Sequence, residues 1–268
     1  MDRDRADAYL ALLDAARPAR PDAAALADLQ WRHLLAVPFE NLDIHLGRPV
    51  ELTEEAILAK FLDRRRGGFC YELGGGFAAL LRALGYRVTL LAGRTYGDEG
   101  RVGIPFDHLA LRVDLDEPWL VDVGFGRFTH HPLRLDVRTD QEDPGGVFRI
   151  LDHENGEHGD LDVLHDGVLQ YRLESRPREL RDFVTGCWWH QTAPTSHFTR
   201  APLCSRPTPD GRITISDRTI VRTTGSERRE EPLADDAALL AAYRDLFGIT
   251  LDHAPARPNP APIPSATP

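Results

Sequence analysis

Arg64-Arg65-Arg66-Gly67-Gly68-Phe69-Cys70-Tyr71-Glu72-Leu73-Gly74-Gly75-Gly76-Phe77 runs on through an apolar stretch to Gly85 and divides the chain into two kinds of sequence. Leu80, Leu81 and Leu84 fall on one helical face, and Gly85 suits the position just past a helix end. The stretch therefore predicts a flexible turn at Gly67-Gly68 and then a helix, with Cys70 at or near its N-terminus. Three consecutive glycines inside a helix cost roughly 1 kcal/mol each relative to Ala, so Gly74, Gly75 and Gly76 point to close backbone packing beneath the cysteine. Gly74, Gly76 and Ala79 formally match G-x-G-x-x-A. No apolar strand precedes them, which argues against a dinucleotide fingerprint.

Upstream the pattern is helical. Ala6, Tyr9, Leu10, Leu12 and Leu13 recur at helical spacing; Asp22 caps a stretch from Ala23 to Ala36; Thr53 caps another that runs to Leu62 with Glu54 and Glu55 in its first turn. Downstream, from Tyr86 to about Leu173, the pattern shifts to short β-rich runs: Tyr86–Leu91, Phe106–Val113, Trp119–Val123 and Val147–Leu151. Turn clusters at Gly97-Asp98-Glu99-Gly100 and Asp143-Pro144-Gly145-Gly146 separate them. Arg212–Ile215 and Thr219–Arg222 read as a hairpin, followed by an Ala/Leu helix from Leu233 to Phe247. Ala254 to Pro268 is Pro/Ala-rich and is expected to be disordered. Helices followed by strands favour an α+β fold over a doubly wound sheet.

The 268 residues are 42% hydrophobic and 28% charged, an ordinary globular balance with material for a sizeable core. The net charge of −10 argues against nucleic acid or an anionic membrane as the main partner. No apolar run approaches the ~18 residues of a membrane span, and Met1-Asp2-Arg3-Asp4-Arg5 lacks a signal-peptide apolar region. Cys70, Cys187 and Cys204 are too few and scattered for a disulfide framework. A cytoplasmic protein with free thiols is the expectation.

Two features carry chemistry. A helix N-terminus and three arginines just upstream both favour Cys70 as thiolate, against the bland alternative of a small buried hydrophobe. In Asp107-His108-Leu109-Ala110-Leu111-Arg112-Val113, alternation puts His108 with Ala110 and Arg112 on one face. Asp122 lies opposite Trp119, Val121 and Val123 in the next run. A hairpin centred near Leu115 or Asp116 brings His108 and Asp122 directly or diagonally opposite, ~4.5–8 Å apart. An Asp holding one imidazole nitrogen leaves the other free to take a proton from a thiol. The sequence does not place Cys70 beside them.

These residues resemble the arylamine N-acetyltransferases. The resemblance rests on Arg66–Leu73, on Asp107-His108-Leu109, on Asp122-Val123-Gly124-Phe125-Gly126, and on Val37-Pro38-Phe39-Glu40-Asn41-Leu42-Asp43-Ile44. Thr195-Ser196-His197-Phe198 and Leu246-Phe247-Gly248-Ile249 match more weakly. The resemblance implies a helical bundle over residues 1–85, a β-barrel over 86–190 and an α/β lid over 191–252, with a cysteine-protease-like core and a tail from 253. It implies a Cys70–His108–Asp122 triad that takes acetyl from acetyl-CoA as co-substrate, with no permanently bound cofactor and no metal. Small aromatic amines or hydrazines are the implied acceptors. Phe39, Tyr71, Phe125 and Phe198 are the implied pocket walls, Gly124 and Gly126 the implied CoA contacts, and Glu40 with Arg66 a structural ion pair. Gly74 stands where the family commonly has Asn, a departure behind the nucleophile. An amide synthase of secondary metabolism with the same triad, a cysteine hydrolase and a non-catalytic binding domain are the alternatives.

The remaining clusters have bland expectations. His130-His131 and the segment from His153 to His158 read as polar turns, and Trp188-Trp189-His190 as interdomain packing. Cys187 and Cys204 are read as passive, and Glu227-Arg228-Arg229-Glu230-Glu231 as a solvated face.

Overall fold

The computed structural model describes residues 1–97, 100–154 and 159–257. Of the expected turns, Asp98 and Glu99 and residues 155–158 lie outside the described residues, as do residues 258–268 of the tail.

Helix starts follow the capping residues. Asp2 accepts from Arg5 N at the start of α1 (Arg3–Leu12), Asp22 from Ala25 N at α2 (Ala23–Ala36), and Thr53 from Ala56 N at α4 (Glu54–Leu58). Between them lie a short strand, β1 (Phe39–Glu40), and one helical turn, α3 (Leu42–His45). α4 widens into a π-helical turn over Ala59–Asp63, and α5 (Cys70–Ala83) follows. Its faces pack on both the other helices and the sheet behind, so it is buried nearly all round.

The strand-rich middle forms one antiparallel eight-stranded sheet in the order β5-β4-β3-β2-β9-β8-β7-β6. Its strands are β2 (Arg87–Thr95), β3 (His108–Asp114), β4 (Pro118–Val121), β5 (Leu133–Arg134), β6 (Gln141–Asp143), β7 (Gly146–Asp152), β8 (Leu161–His165) and β9 (Val168–Leu173). The sheet is nearly closed. Gln141 bridges its two ends, accepting from Arg134 N at 2.7 Å and donating to Arg134 O at 3.0 Å. Leu91, Ala110, Leu120, Phe148, Ile150 and Tyr171 fill part of the interior. The β3–β4 register pairs Leu111 with Val121 and Val113 with Trp119, so the hairpin centres on Asp116, one of the two positions the alternation allowed.

A second antiparallel sheet has the order β1-β10-β11-β12-β13, comprising β10 (Leu203–Thr208), β11 (Gly211–Ser216), β12 (Thr219–Thr224) and β13 (Glu227–Pro232). β1 comes from the helical first part of the chain. Its two residues carried no visible strand signal and are fixed by pairing Phe39 with Ser205 and Glu40 with Cys204. The Glu227–Glu231 charge run is the exposed edge strand, where charges discourage pairing with other chains. α7 (Asp236–Phe247), capped by Asp235, packs Leu239, Tyr243 and Phe247 on this sheet. The two sheets are joined by α6 (Val184–Thr192) and a single turn at His197–Thr199.

The start of the segment expected to be disordered is docked instead. Pro255 is buried, Ala254 packs on the α7 cluster, and Ala256 N donates to His45 O at 3.1 Å. His45 Nδ1 in turn lies 3.1 Å from Ala256 O. Backbone pairing supplies an anchor that low-complexity composition does not reveal.

Candidate active site

Cys70 is the first residue of α5, with Phe69 as its N-cap. Glu72 reaches back so that Oε2 accepts from Phe69 N at 3.2 Å, which fixes the start of the helix. The Gly67-Gly68 pair is not a flexible turn. β1 runs alongside it: Glu40 N donates to Gly68 O at 2.9 Å, and a side chain at Gly67 would overlap Pro38 O. Gly74 serves the same end on the other side, since a Cβ there would overlap the Leu109 side chain on β3. The expectation of close packing beneath the cysteine therefore holds.

Cys70 is 3% exposed. Its Sγ lies 4.0 Å from the carbonyl oxygen of Asp107, the residue before His108. The sulfur thus sits over the peptide segment that carries the imidazole. From the far side Gly124 closes in, where an added Cβ would stand 2.7 Å from Cys70 Cα. Burial pushes the Cys70 thiol well up, and the charge of Asp107, with smaller effects of Cys187 and Asp122, pushes the same way against the Leu109 backbone. This corrects the expectation that upstream arginines favour the thiolate. Arg64 and Arg65 are exposed, and Arg66 is spent on acids elsewhere.

His108 and Asp122 meet as the hairpin predicts. His108 Nε2 lies 2.8 Å from Asp122 Oδ2, both groups being buried. Continuing the β3–β4 register would set Asp122 opposite Ala110, so His108 is its diagonal neighbour. The same Oδ2 accepts from the Tyr171 hydroxyl at 3.0 Å, while Oδ1 accepts from Gly124 N at 3.0 Å and Phe125 N at 3.1 Å. Four donors saturate the carboxylate, which satisfies the requirement that a buried carboxylate be bonded. Tyr171, on β9, was invisible to local reasoning because β9 reaches β3 only through the barrel order.

Phe125 and Tyr171 stand against the His108 ring, and a second aromatic group gathers around Phe69 and Phe198. Phe125 meets the His108 ring edge-on at 5.2 Å and Tyr171 at 5.1 Å; Phe198 lies 5.9 Å from Phe39 and 5.3 Å from Phe69. Phe39, Phe125 and Phe198 are half-buried. Tyr71 is fully buried, and its hydroxyl is spent on the loop before β3, donating to Phe106 O at 2.7 Å and Asp107 O at 3.2 Å.

Glu40 and Arg66 pair at 2.7 Å inside a larger buried network. Asp43 lies 3.1 Å from Arg66 and 2.8 Å from Lys60 as an ion-pair partner of both, and Lys60 also reaches Glu72 at 2.7 Å. Lys60 stood in an apolar helical stripe beside Phe61, and a lysine on a buried face was the signal that could have found it. Burial lowers Lys60 and Arg66, but the surrounding acids more than reverse that and raise both. Removing one member leaves uncompensated buried charge, which costs 3–5 kcal/mol or so. Arg66→Met should therefore lower the thermal midpoint by at least roughly 6 °C at this chain length; a calorimetric scan showing no shift would contradict the network.

Gly124 is explained by its approach to Cys70, and Gly126, at φ +93°, by a backbone conformation that disfavours side chains. Gly126 O accepts from Arg212 at 2.9 Å. Arg212 lines a cleft of about 640 Å³ between the two sheets, together with Arg127, Trp31, His130 and Arg228. Burial, with the nearby Arg127 charge, brings Arg212 down to about 10. Among the described residues no carboxylate lies within ion-pair distance of Arg212 or Arg127. His130 stacks on Trp31 at 4.4 Å, and His131 Nδ1 lies 3.1 Å from Asp143. Trp188 is 62% exposed, so it is not part of the expected interdomain packing, whereas His190 beside it is buried. Cys187 and Cys204 are buried free thiols.

The N-acetyltransferase family profile matches residues 22–256. The arylamine N-acetyltransferase / N-hydroxyarylamine O-acetyltransferase of Salmonella typhimurium is 37% identical over 235 residues, covering 85% of this chain and 83% of that protein. The chain belongs to the arylamine N-acetyltransferase family. It is an acyltransferase, and its α+β fold with a cysteine-protease-like core is the family's. The solved Salmonella typhimurium enzyme superposes with a TM-score of 0.85 at 32% identity over 95% of each chain. The Mycobacterium marinum enzyme in complex with CoA superposes at 0.81 with 33% identity, over 91% of this chain and 92% of that one. Among the described residues no helix is long and apolar enough to cross a membrane.

Proposed function

We propose that this chain moves an acetyl group from acetyl-CoA to a small arylamine or aryl hydrazine through an acetyl thioester on Cys70. The observation that carries the reading is the buried His108–Asp122 pair at 2.8 Å, with the carbonyl of Asp107, the residue before His108, 4.0 Å from the Cys70 sulfur. Family membership and the CoA-bound relative support acetyl-CoA as donor.

Asp122 holds His108 Nε2–H, so Nδ1 takes the thiol proton, and the resulting imidazolium offsets the burial and acidic neighbours that disfavour a lone thiolate. The sulfur attacks the thioester carbonyl; the Sγ–C bond forms, the C–S bond to CoA breaks, and His108 returns its proton to the departing CoA thiolate. Backbone N–H groups at the start of α5 suit the developing oxyanion. An arylamine, neutral near pH 7, then attacks the acetyl carbon. His108 accepts its proton, and the Cys70 thiolate leaves, restoring the ion pair. One thioester replaces another in the first half, so the acyl-enzyme persists until an amine arrives, and ping-pong kinetics follow. Half-buried Phe39, Phe125 and Phe198 suit a flat acceptor and disfavour water. Arg212 and Arg127, which line the cleft without a carboxylate partner among the described residues, suit the CoA phosphates better than Gly124 and Gly126 do.

Incubation with acetyl-CoA and a simple aniline tests the reading. Parallel initial-rate lines and N-acetylaniline support it. Free acetate formed at the same rate without amine identifies a hydrolase, and no turnover with acetyl-CoA but turnover with a carrier-bound acyl chain identifies an amide synthase.

A further inference from the structure

Beside the first histidine–aspartate pair lies another. His190 Nε2, on α6, is 2.9 Å from Asp107 Oδ1, and its Nδ1 is 3.1 Å from Ser196 Oγ. Asp107 Oδ2 accepts from Thr95 N at 3.2 Å and from the Thr95 hydroxyl. Both members are nearly buried, at 9% and 6% exposure. Replacing such a pair by apolar residues is often neutral or stabilising, so stability is a weak reason for it. Its position suggests a better one. Asp107 directly precedes His108, and its carbonyl is the oxygen 4.0 Å from the Cys70 sulfur. The residue before, Phe106, has φ +60°, a backbone state a bulky residue holds only when its surroundings enforce it.

We propose that Asp107 and His190 are positioning residues that lock the entry to the His108 strand and set the charge felt by the Cys70 sulfur. The proposal rests on Cys70 being the nucleophile. The carboxylate opposes the thiolate, and His190 offsets it by holding a proton against Oδ1. Asp107 suits this part: burial raises it, but the bonds from His190 and Thr95 outweigh burial and hold it below the usual carboxylate range. Apart from His108, which takes the thiol proton in the proposed reaction, the groups that act on the sulfur are Asp107, Cys187 on α6 and Asp122, all opposing a thiolate, with the Leu109 backbone favouring it. Those facing the pair are Cys70 and Tyr71 from α5, Thr95 from β2 and Ser196.

The test is the pH dependence of Cys70 alkylation by iodoacetamide, with the Cys70 peptide followed by mass. Asp107→Asn should move the midpoint down by about one pH unit, because an opposing charge is gone. His190→Leu, which removes the N–H held against Oδ1, should move it up, and the double variant should return toward the parent. Opposite signs are not produced by simple loosening of the site. Midpoints equal to the parent's, with slower alkylation at every pH, would reduce the pair to a structural brace and overturn the proposal. If one variant does not fold, the direction of the other decides. Failure of the nucleophile itself is read separately: the unmodified protein would then take no acetyl group from acetyl-CoA.

Discussion

Asp122→Asn should lower kcat/KM for aniline acetylation roughly 10³–10⁴-fold. The size follows from the hydrogen-bond count. Each carboxylate oxygen of Asp122 accepts from two donors: His108 Nε2 and the Tyr171 hydroxyl on one, and Gly124 N and Phe125 N on the other. An amide in either orientation points its NH₂ at two donors. The least costly escape is for the imidazole to carry its proton on Nδ1, which removes the lone pair that takes the thiol proton. A fold effect accompanies this, because a buried donor left unmatched costs about 1–3 kcal/mol. Rates measured well below the thermal midpoint separate the two. Tyr171→Phe provides the control, since it removes one neutral donor and should cost only about 0.5–1.5 kcal/mol of stability and a small part of the rate.

Cys70→Ala should abolish acetyl transfer, with a loss of at least about 10⁴-fold, because removal of a nucleophile leaves no route to the acyl-enzyme. The fold should barely notice. The lost sulfur makes one weak polar contact, to Asp107 O at 4.0 Å. An unchanged circular dichroism spectrum and a thermal midpoint within a few degrees of the parent are the expected companions of the lost activity. Retained turnover would move the chemistry elsewhere.

Local sequence carried the architecture wherever one residue decides one feature. Asp22, Thr53 and the Asp114–Pro118 turn mark their element boundaries because capping and turn formation are short-range. Alternation in β3 and β4 was enough to pair His108 with Asp122 before any tertiary contact was known. What stayed hidden depends on chain order in space. Tyr171 reaches Asp122 because β9 lies beside β2 in the barrel, and β1 exists because β10, far away in sequence, needs a neighbour. Electrostatics depends on chain order in space for the same reason. Arg66 sits four residues before Cys70, yet its charge is consumed by Glu40 and Asp43, while burial and then the Asp107 carboxylate raise the thiol. The Gly67-Gly68 pair likewise looked flexible and is packed tightly against Pro38. Asp107 and His190 are separated by most of the barrel, so no local pattern could join them, although a second acid beside a candidate catalytic histidine was a visible hint.

The central claim is that Cys70 carries the acetyl group between donor and acceptor. Intact-mass measurement after mixing the protein with acetyl-CoA in the absence of amine tests it most directly. The account predicts a gain of one acetyl group, located on the Cys70 peptide, lost on addition of aniline and absent from the Cys70→Ala variant. Rapid N-acetylaniline formation by a protein that never gains that mass would contradict it.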